Sequence, residues 1–250
     1  RETSLAITLS VGERTEAEYA RLRDAGADRY LLRFETSNRE LFDRIHPPHR
    51  GVRSDRIALL GVLRRLGYEV GSGVMIGIPG QRWEDLARDI ELFRELELDM
   101  IGLGPYIPHP DTPLGRHPER FLAPPGEQVP ADVPTTLRAL ALARIVCPRA
   151  NIPATTALAT LDPEQGYELA LQRGANIIMP NITPAQHRPE YEIYPGKVSA
   201  RDDADHFRDR IPARIRALGR TVGTGRGDSP NLLTRGAAAA PVGGDTAVAR

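Results

Sequence analysis

Segments in which apolar residues return every three or four positions alternate along the chain with short, unbroken apolar runs. Leu86, Ile90, Phe93 and Leu96 recur at such steps with Asp and Arg between them, and Leu59, Leu63 and Leu66 do the same. Each set marks one face of an amphipathic helix. Thr135, Leu137, Leu140, Ala141, Arg144 and Ile145 outline another helix, stopped by Pro148. Asp162-Pro163 predicts the start of the next, a cap followed by proline at the first helical position. These segments close on a glycine or a short acidic turn, and a compact apolar run follows. Gly26-Ala27-Asp28 leads into Tyr30-Leu31-Leu32, Gly67-Tyr68-Glu69 into Val70 to Ile78, Leu98-Asp99 into Met100 to Leu103, and Gly174-Ala175-Asn176 into Ile177 to Met179. Glycine just past a helix supplies the left-handed cap, and such runs predict strands buried on both faces. With further strands near Ala6 to Leu9 and Asn151 to Thr155, the pattern predicts six strands, most of them followed by a helix. The class is α/β, a parallel sheet with helices outside, either a doubly wound sheet or a barrel two strands short of closure.

Residues 105 to 133 interrupt this rhythm with a long excursion rich in proline and charge, and loops of that length in compact domains are usually functional. Beyond Thr221 the chain is dominated by Gly, Ala, Arg and Pro without apolar periodicity. The expected organisation is therefore one domain over residues 1–220 and a disordered or loosely docked tail over 221–250. Within that tail Arg226-Gly227-Asp228 matches an adhesion tripeptide, which such a composition produces readily without that role.

Composition narrows the function classes. Of 250 residues, 40% are hydrophobic and 26% charged, enough for a substantial core. Thirty-three basic residues balance 33 acidic ones, so no global field draws the chain to nucleic acid or to an anionic membrane, and a small-molecule site is expected. No apolar run of about twenty residues and no basic-then-apolar leader occurs, so neither a membrane span nor a secretory signal is expected and the cytoplasm is the simplest compartment. Cys147 is the only cysteine, which excludes a disulfide framework or a metal site built from several thiolates of this chain, and its apolar setting reads as a small core hydrophobe. The chain opens on Arg1 directly before a predicted strand, as though cut inside a domain.

In parallel α/β folds ligands bind at the carboxyl ends of strands, so the polar residues after each apolar run are the candidates. Thr8, Ser10 and Glu13 follow the first strand, Arg33, Glu35 and Thr36 the second, Thr155 and Thr156 the fifth, and Asn181 and Thr183 the sixth. Arg33 and Glu35 lie two apart, on one side of an extended chain, and offer adjacent positive and negative groups to a zwitterion such as an amino acid moiety; the competing reading is a structural ion pair at the rim. Thr155 and Thr156 read equally as β-branched strand residues with satisfied hydroxyls. Gly71-Ser72-Gly73 with Gly77 flanks and interrupts a strand instead of following it, so it is no dinucleotide motif. His109 and Asp111 could face a metal, but the prolines around them favour a loop-shaping role. No metal site and no catalytic side chain is assigned from the residues.

Three long stretches carry a resemblance. They are Gly26-Ala27-Asp28-Arg29-Tyr30-Leu31-Leu32-Arg33-Phe34-Glu35-Thr36, Met75-Ile76-Gly77-Ile78-Pro79-Gly80-Gln81, and Gly102 through Leu114 with its core Gly104-Pro105-Tyr106-Ile107-Pro108-His109-Pro110-Asp111-Thr112-Pro113. Asn151-Ile152-Pro153-Ala154-Thr155-Thr156-Ala157, Met179-Pro180-Asn181 and Tyr194-Pro195-Gly196-Lys197 continue the series in order. Together they resemble the radical S-adenosylmethionine (SAM) maturases of FeFe-hydrogenase, HydE type. The resemblance implies a partial TIM-type (β/α) barrel whose first two β/α units, with the Cys-x₃-Cys-x₂-Cys loop for a 4Fe–4S cluster, lie outside this chain. It implies the cofactors SAM and that 4Fe–4S cluster. The implied reaction is generation of a 5′-deoxyadenosyl radical that acts on an organometallic iron precursor carrying cysteine, carbon monoxide and cyanide, in H-cluster assembly alongside other hydrogenase maturation proteins. Without its cluster loop, the chain by itself is expected to be inactive. Carried over residue by residue, Arg33, Glu35, Thr8, Ser10, Arg56, Tyr191 and Tyr194 are expected near SAM, and Thr155, Thr156 and Asn181 in the substrate cavity. Phe34 departs from the family pattern, where histidine is expected. The alternatives are a related enzyme acting on a small organic substrate, similar to methylornithine synthase or biotin synthase, or a cluster-free binding or scaffold protein.

Overall fold

Six short strands run parallel in chain order in the computed structural model, which describes residues 3–48, 51–191, 193–197 and 204–239. The elements are β1 (Thr8–Leu9), α1 (Glu16–Asp24), β2 (Arg29–Leu31), α2 (Arg39–Ile45), α3 (Arg56–Arg65), β3 (Glu69–Ile76), α4 (Trp83–Glu95) and β4 (Met100–Pro105), then α5 (Pro113–Arg116), α6 (Val133–Val146), β5 (Pro153–Ala154), α7 (Thr156–Leu161), α8 (Gly166–Gln172), β6 (Ile177–Ile178), α9 (Ala204–Ala217) and α10 (Pro230–Ala239). Strands β1 to β4 form one ladder and β5 with β6 another, all parallel. Two hydrogen bonds join the ladders, Ile101 N–H to the Asn151 carbonyl at 2.9 Å and Asn151 N–H to the Asp99 carbonyl at 2.8 Å. Strand order 1-2-3-4-5-6 with helical crossovers is that of consecutive (β/α) units. No described helix is long and apolar enough to cross a membrane.

Local chemistry sets the boundaries. Thr15 and Glu18 form a reciprocal capping box on α1, Asp55 accepts from Ala58 N–H to start α3, and Asp132 accepts from Thr135 N–H to start α6. Gly67 and Gly174 turn out of the preceding helices with φ of 80° and 120°. Alternation along β2 and its continuation sends Tyr30, Leu32 and Phe34 into the core beneath the helices. There Tyr30 meets Tyr19 and Tyr68 edge-on with centroids 4.9 and 5.8 Å away.

Two expectations shift. Asp162-Pro163 does not open a helix: Asp162 closes α7, its carboxylate and carbonyl hold a turn through Gln165 and Gly166, and α8 begins at Gly166. Thr155, read as the end of a strand, is instead the N-cap of α7, accepting from Leu158 N–H at 3.4 Å.

Nor do residues 226–239 follow their composition. Asp99 is fully buried at the start of β4 and accepts from Val70 N–H at 2.8 Å, from Arg64 at 2.8 Å and, on both oxygens, from Arg235 at 2.7 Å. Glu69, at the start of β3, accepts from Arg29 at 2.7 Å and from Ser229 N–H at 2.8 Å. Arg29 also reaches Asp228, and Arg226 pairs with Asp28, so both charges of the tripeptide in this segment are ion-paired with the domain. Asn231 donates to the Leu98 carbonyl and Asn151 to the Gly227 carbonyl. This segment straps the amino ends of β2 through β5.

Candidate functional site

At the other ends of the strands the geometry is less regular. Strand β2 stops at Leu31, yet the chain stays extended because the buried Ser72 hydroxyl donates to the Leu32 carbonyl at 2.9 Å and accepts from Phe34 N–H at 3.2 Å. Glu35 N–H then reaches the Gly73 carbonyl at 3.0 Å. At Glu35 the chain turns sharply, with φ at 64° and Thr36 N–H donating back to the Phe34 carbonyl at 2.8 Å. A left-handed residue other than glycine costs about 1–3 kcal/mol and is maintained only where its surroundings impose it. Asp89 of α4 is one such restraint. Fully buried, it accepts from Ser37 N–H at 2.6 Å, and the Gln81 amide lies 3.5 Å from its second oxygen. Burial raises the Asp89 carboxyl to about 7, despite the Ser37 donors. Gln81 in turn accepts from Gly77 N–H at 2.7 Å, so one network spans the turns after β2 and β3.

A cavity of about 530 Å³ opens at this end, lined by Arg33, Met75, Gly104, Tyr106, His109 and Tyr194 among others, a volume in the range of small-molecule sites. The 105–133 excursion forms one wall. Gln128 pins it by donating to the Ile78 carbonyl at 3.1 Å and accepting from Gly80 N–H at 2.9 Å. His109 Nδ1 accepts from Asp111 N–H at 3.1 Å, the loop-shaping arrangement that the prolines suggest. Arg33 and Glu35 face each other at 3.3 Å, but the contact lacks hydrogen-bond alignment. Arg33 Nε and Nη2, Glu35 Oε2 and the Tyr106 hydroxyl are all buried without a hydrogen-bond partner. Native proteins rarely leave such atoms unanswered, and a cluster of them points to a ligand or ordered water. His46 also lines the cavity, and burial, with the Arg56 cation adding to it, pushes its imidazole below the usual range.

The predicted site residues separate into groups. Arg33 and Tyr194 line the cavity and Glu35 lies against Arg33. Burial raises the Tyr194 phenol, whose hydroxyl shares a hydrogen bond with Thr160. Arg56 does not line the cavity. Its guanidinium donates to Glu13 at 2.8 Å and to the Arg33 carbonyl at 2.9 Å, bracing the backbone behind the site. Thr8 in β1 and Ser10 just after it lie exposed and do not line the cavity. The Tyr191 side chain lies outside what the structure describes. Thr155 packs beneath Gly104, where a Cβ would come within 3.0 Å of its hydroxyl, while Thr156 accepts from Thr160 through its carbonyl and Asn181 accepts from Thr183 N–H. None of these three lines the cavity, though their neighbour Ala157 does. Sequence reasoning passed over Tyr106 and Asp89. Tyr106 sits inside a quoted stretch, immediately after β4, where the strand-end rule applied to its neighbours would have found it; Asp89 reads only as a polar helix position.

The cavity sits at the carboxyl ends of a parallel α/β array, and residues 2–112 match the Radical SAM superfamily. The chain is 41% identical over 223 residues, 89% of its length, to the FeFe hydrogenase maturase subunit HydE of Thermotoga maritima, and it spans 60% of that relative. The crystal structure of methylornithine synthase (PylB) superposes over 89% of this chain and 60% of its own with a TM-score of 0.64 at 20% identity. That of HydG, a maturase of FeFe-hydrogenase, covers 69% of this chain and 37% of its own with a TM-score of 0.54 at 16% identity. The two structural likenesses support the fold.

Proposed function

We propose that this chain is the SAM-binding portion of a radical SAM enzyme of FeFe-hydrogenase maturation. The observation that carries the reading is the Arg33–Glu35 pair, a cation lining the cavity and a carboxylate 3.3 Å from it, whose buried atoms make no hydrogen bond. They fit the zwitterionic methionine portion of SAM, the guanidinium toward the carboxylate and Glu35 toward the ammonium. The likeness to HydE supports maturation among the activities of the superfamily. Given one electron from a reductant that these residues do not supply, bound SAM would cleave to methionine and a 5′-deoxyadenosyl radical; the proposed substrate is an iron precursor carrying cysteine, carbon monoxide and cyanide. Other hydrogenase maturation proteins are the proposed partners, and the cytoplasm the proposed compartment.

The residues do not fit the 4Fe–4S cluster. Cys147 is the single thiol, buried at the end of α6 beside the Asn231 strap, and burial raises its pKa. Among the described residues no group of three or more His, Cys, Asp or Glu side chains could hold a metal ion. The chain's own residues therefore bind and orient SAM: Glu35 is fixed by its turn, Arg33 by the Arg56 contact to its carbonyl, and the excursion covers one side of the cavity.

Calorimetric titration of the chain with SAM tests the reading. Glu35→Ala removes a charge-assisted acceptor and is expected to weaken binding about tenfold or more. An unchanged dissociation constant removes Glu35 from the site, and an absence of binding to the unaltered chain overturns the assignment.

A further inference from the structure

Two phenols line the cavity, and they differ in one respect. The Tyr194 hydroxyl shares a hydrogen bond with Thr160, whereas the Tyr106 hydroxyl is buried with no partner. Tyr106 does not reach this position by loop flexibility. Its N–H donates to the Ile76 carbonyl at 2.8 Å, continuing the β3–β4 ladder by one residue, so the backbone that carries the ring is held by the sheet. A phenylalanine would fill the same apolar space without burying a hydroxyl, so the unpaired oxygen is a liability unless something in the cavity answers it. Charge indicates what that is. The titratable side chains lining the cavity besides the two phenols are Arg33, Arg44, His46 and His109, and no carboxylate is among the lining residues. The nearest acid is Glu35, already set against Arg33. A neutral hydroxyl in basic company meets an anionic acceptor best, as a donor.

We propose that Tyr106 is a ligand-contacting residue whose hydroxyl donates a hydrogen bond to a carboxylate oxygen of SAM, beside the Arg33 guanidinium. The inference rests on the proposed function and adds a third side chain, from a second strand, to the recognition of the amino acid end. It makes the site selective for the carboxylate itself: a ligand lacking that group gains nothing from the phenol.

The test compares the unaltered chain with Tyr106→Phe, each titrated with SAM and with decarboxylated SAM, alongside thermal unfolding without ligand. Tyr106→Phe is expected to weaken SAM binding about three- to tenfold, to leave the affinity for decarboxylated SAM unchanged, and to leave the ligand-free midpoint equal or raised, because an unanswered hydroxyl has been removed. A purely structural tyrosine would give a lowered midpoint and no discrimination between the two ligands, which overturns the proposal. Equal SAM affinity in the two proteins overturns it and leaves the Arg33–Glu35 reading standing. Equal weakening for both ligands overturns the carboxylate assignment. Failure of the unaltered chain to bind SAM overturns both readings together.

Discussion

The two ends of the strand array treat buried polar groups in opposite ways. At the amino ends, Asp99 and Glu69 are answered by Arg64, Arg235 and Arg29 and by the Val70 and Ser229 amides, and one atom there, Arg235 Nη1, lacks a partner. At the carboxyl ends, four atoms of Arg33, Glu35 and Tyr106 make no hydrogen bond, Arg33 and Glu35 meeting only as an ion pair, and Glu35 also holds a left-handed backbone. Both ends bury charge, so burial alone does not separate them; what separates them is whether the chain supplies the complement. Where it does, the groups fix the architecture. Where it does not, the proposed function has a ligand supply the complement, and the local strain is sustained by the Asp89 and Ser72 hydrogen bonds behind it.

The largest effect is expected at the satisfied end. Asp99→Ala leaves Arg64 and Arg235 facing each other across a gap and deprives Val70 N–H of its acceptor. Removing one partner of a buried ion pair typically destabilises by about 3–5 kcal/mol, read as a fall in the urea midpoint of the whole chain. A loss under about 1 kcal/mol would mean that the strap over residues 226–239 contributes little and that the contrast between the ends is smaller than drawn.

A second, pH-dependent effect arises behind the cavity. Asp89 titrates near 7 in the folded protein against an ordinary value of 3.8. The folded state therefore holds the proton more tightly than the unfolded state, and stability is fully present below about pH 4. It falls as pH rises through about 7, by an amount on the order of a few kcal/mol. Asp85 faces it from the same helix and adds to the shift, while Ser37 and Gln81 oppose it. Asp89→Asn is expected to flatten this part of the profile. Parallel urea midpoints for the two proteins at pH 5 and pH 8 isolate it from Glu69, which burial also raises; identical slopes would show that Asp89 does not titrate in this window.

How much of this is legible along the chain depends on the distance between partners. Glycine punctuation at Gly67 and Gly174 and the three-four spacing of Leu86, Ile90 and Phe93 are local, and the six strands follow from them. The two-residue spacing of Arg33 and Glu35 likewise places both on one side. By contrast, Arg235 is 136 positions from Asp99 and Ser229 is 160 from Glu69. Nothing in a Gly-, Ala- and Arg-rich segment announces that its few polar residues have buried partners. Thr155 was ambiguous for a different reason, because a β-branched hydroxyl at a strand end serves equally as the cap of a following helix, and tertiary context decided. Tyr106 follows β4 directly, so its place at a strand end is local, but the missing partner of its hydroxyl is a property of the folded structure alone.

The smallest predicted effect separates strain from function at one residue. Glu35→Gly keeps the left-handed turn at no steric cost and removes the carboxylate. Relief of the backbone penalty, less the extra entropy of glycine in the unfolded chain, is expected to change stability by no more than about 1 kcal/mol, on the stabilising side. Glu35→Ala removes the same carboxylate but keeps the penalty, so at equal loss of SAM affinity the glycine variant unfolds at the higher urea concentration. Should the glycine variant be the less stable of the two, the side chain and its contact with Arg33 contribute to the fold itself, and Glu35 belongs with the answered charges of the opposite end.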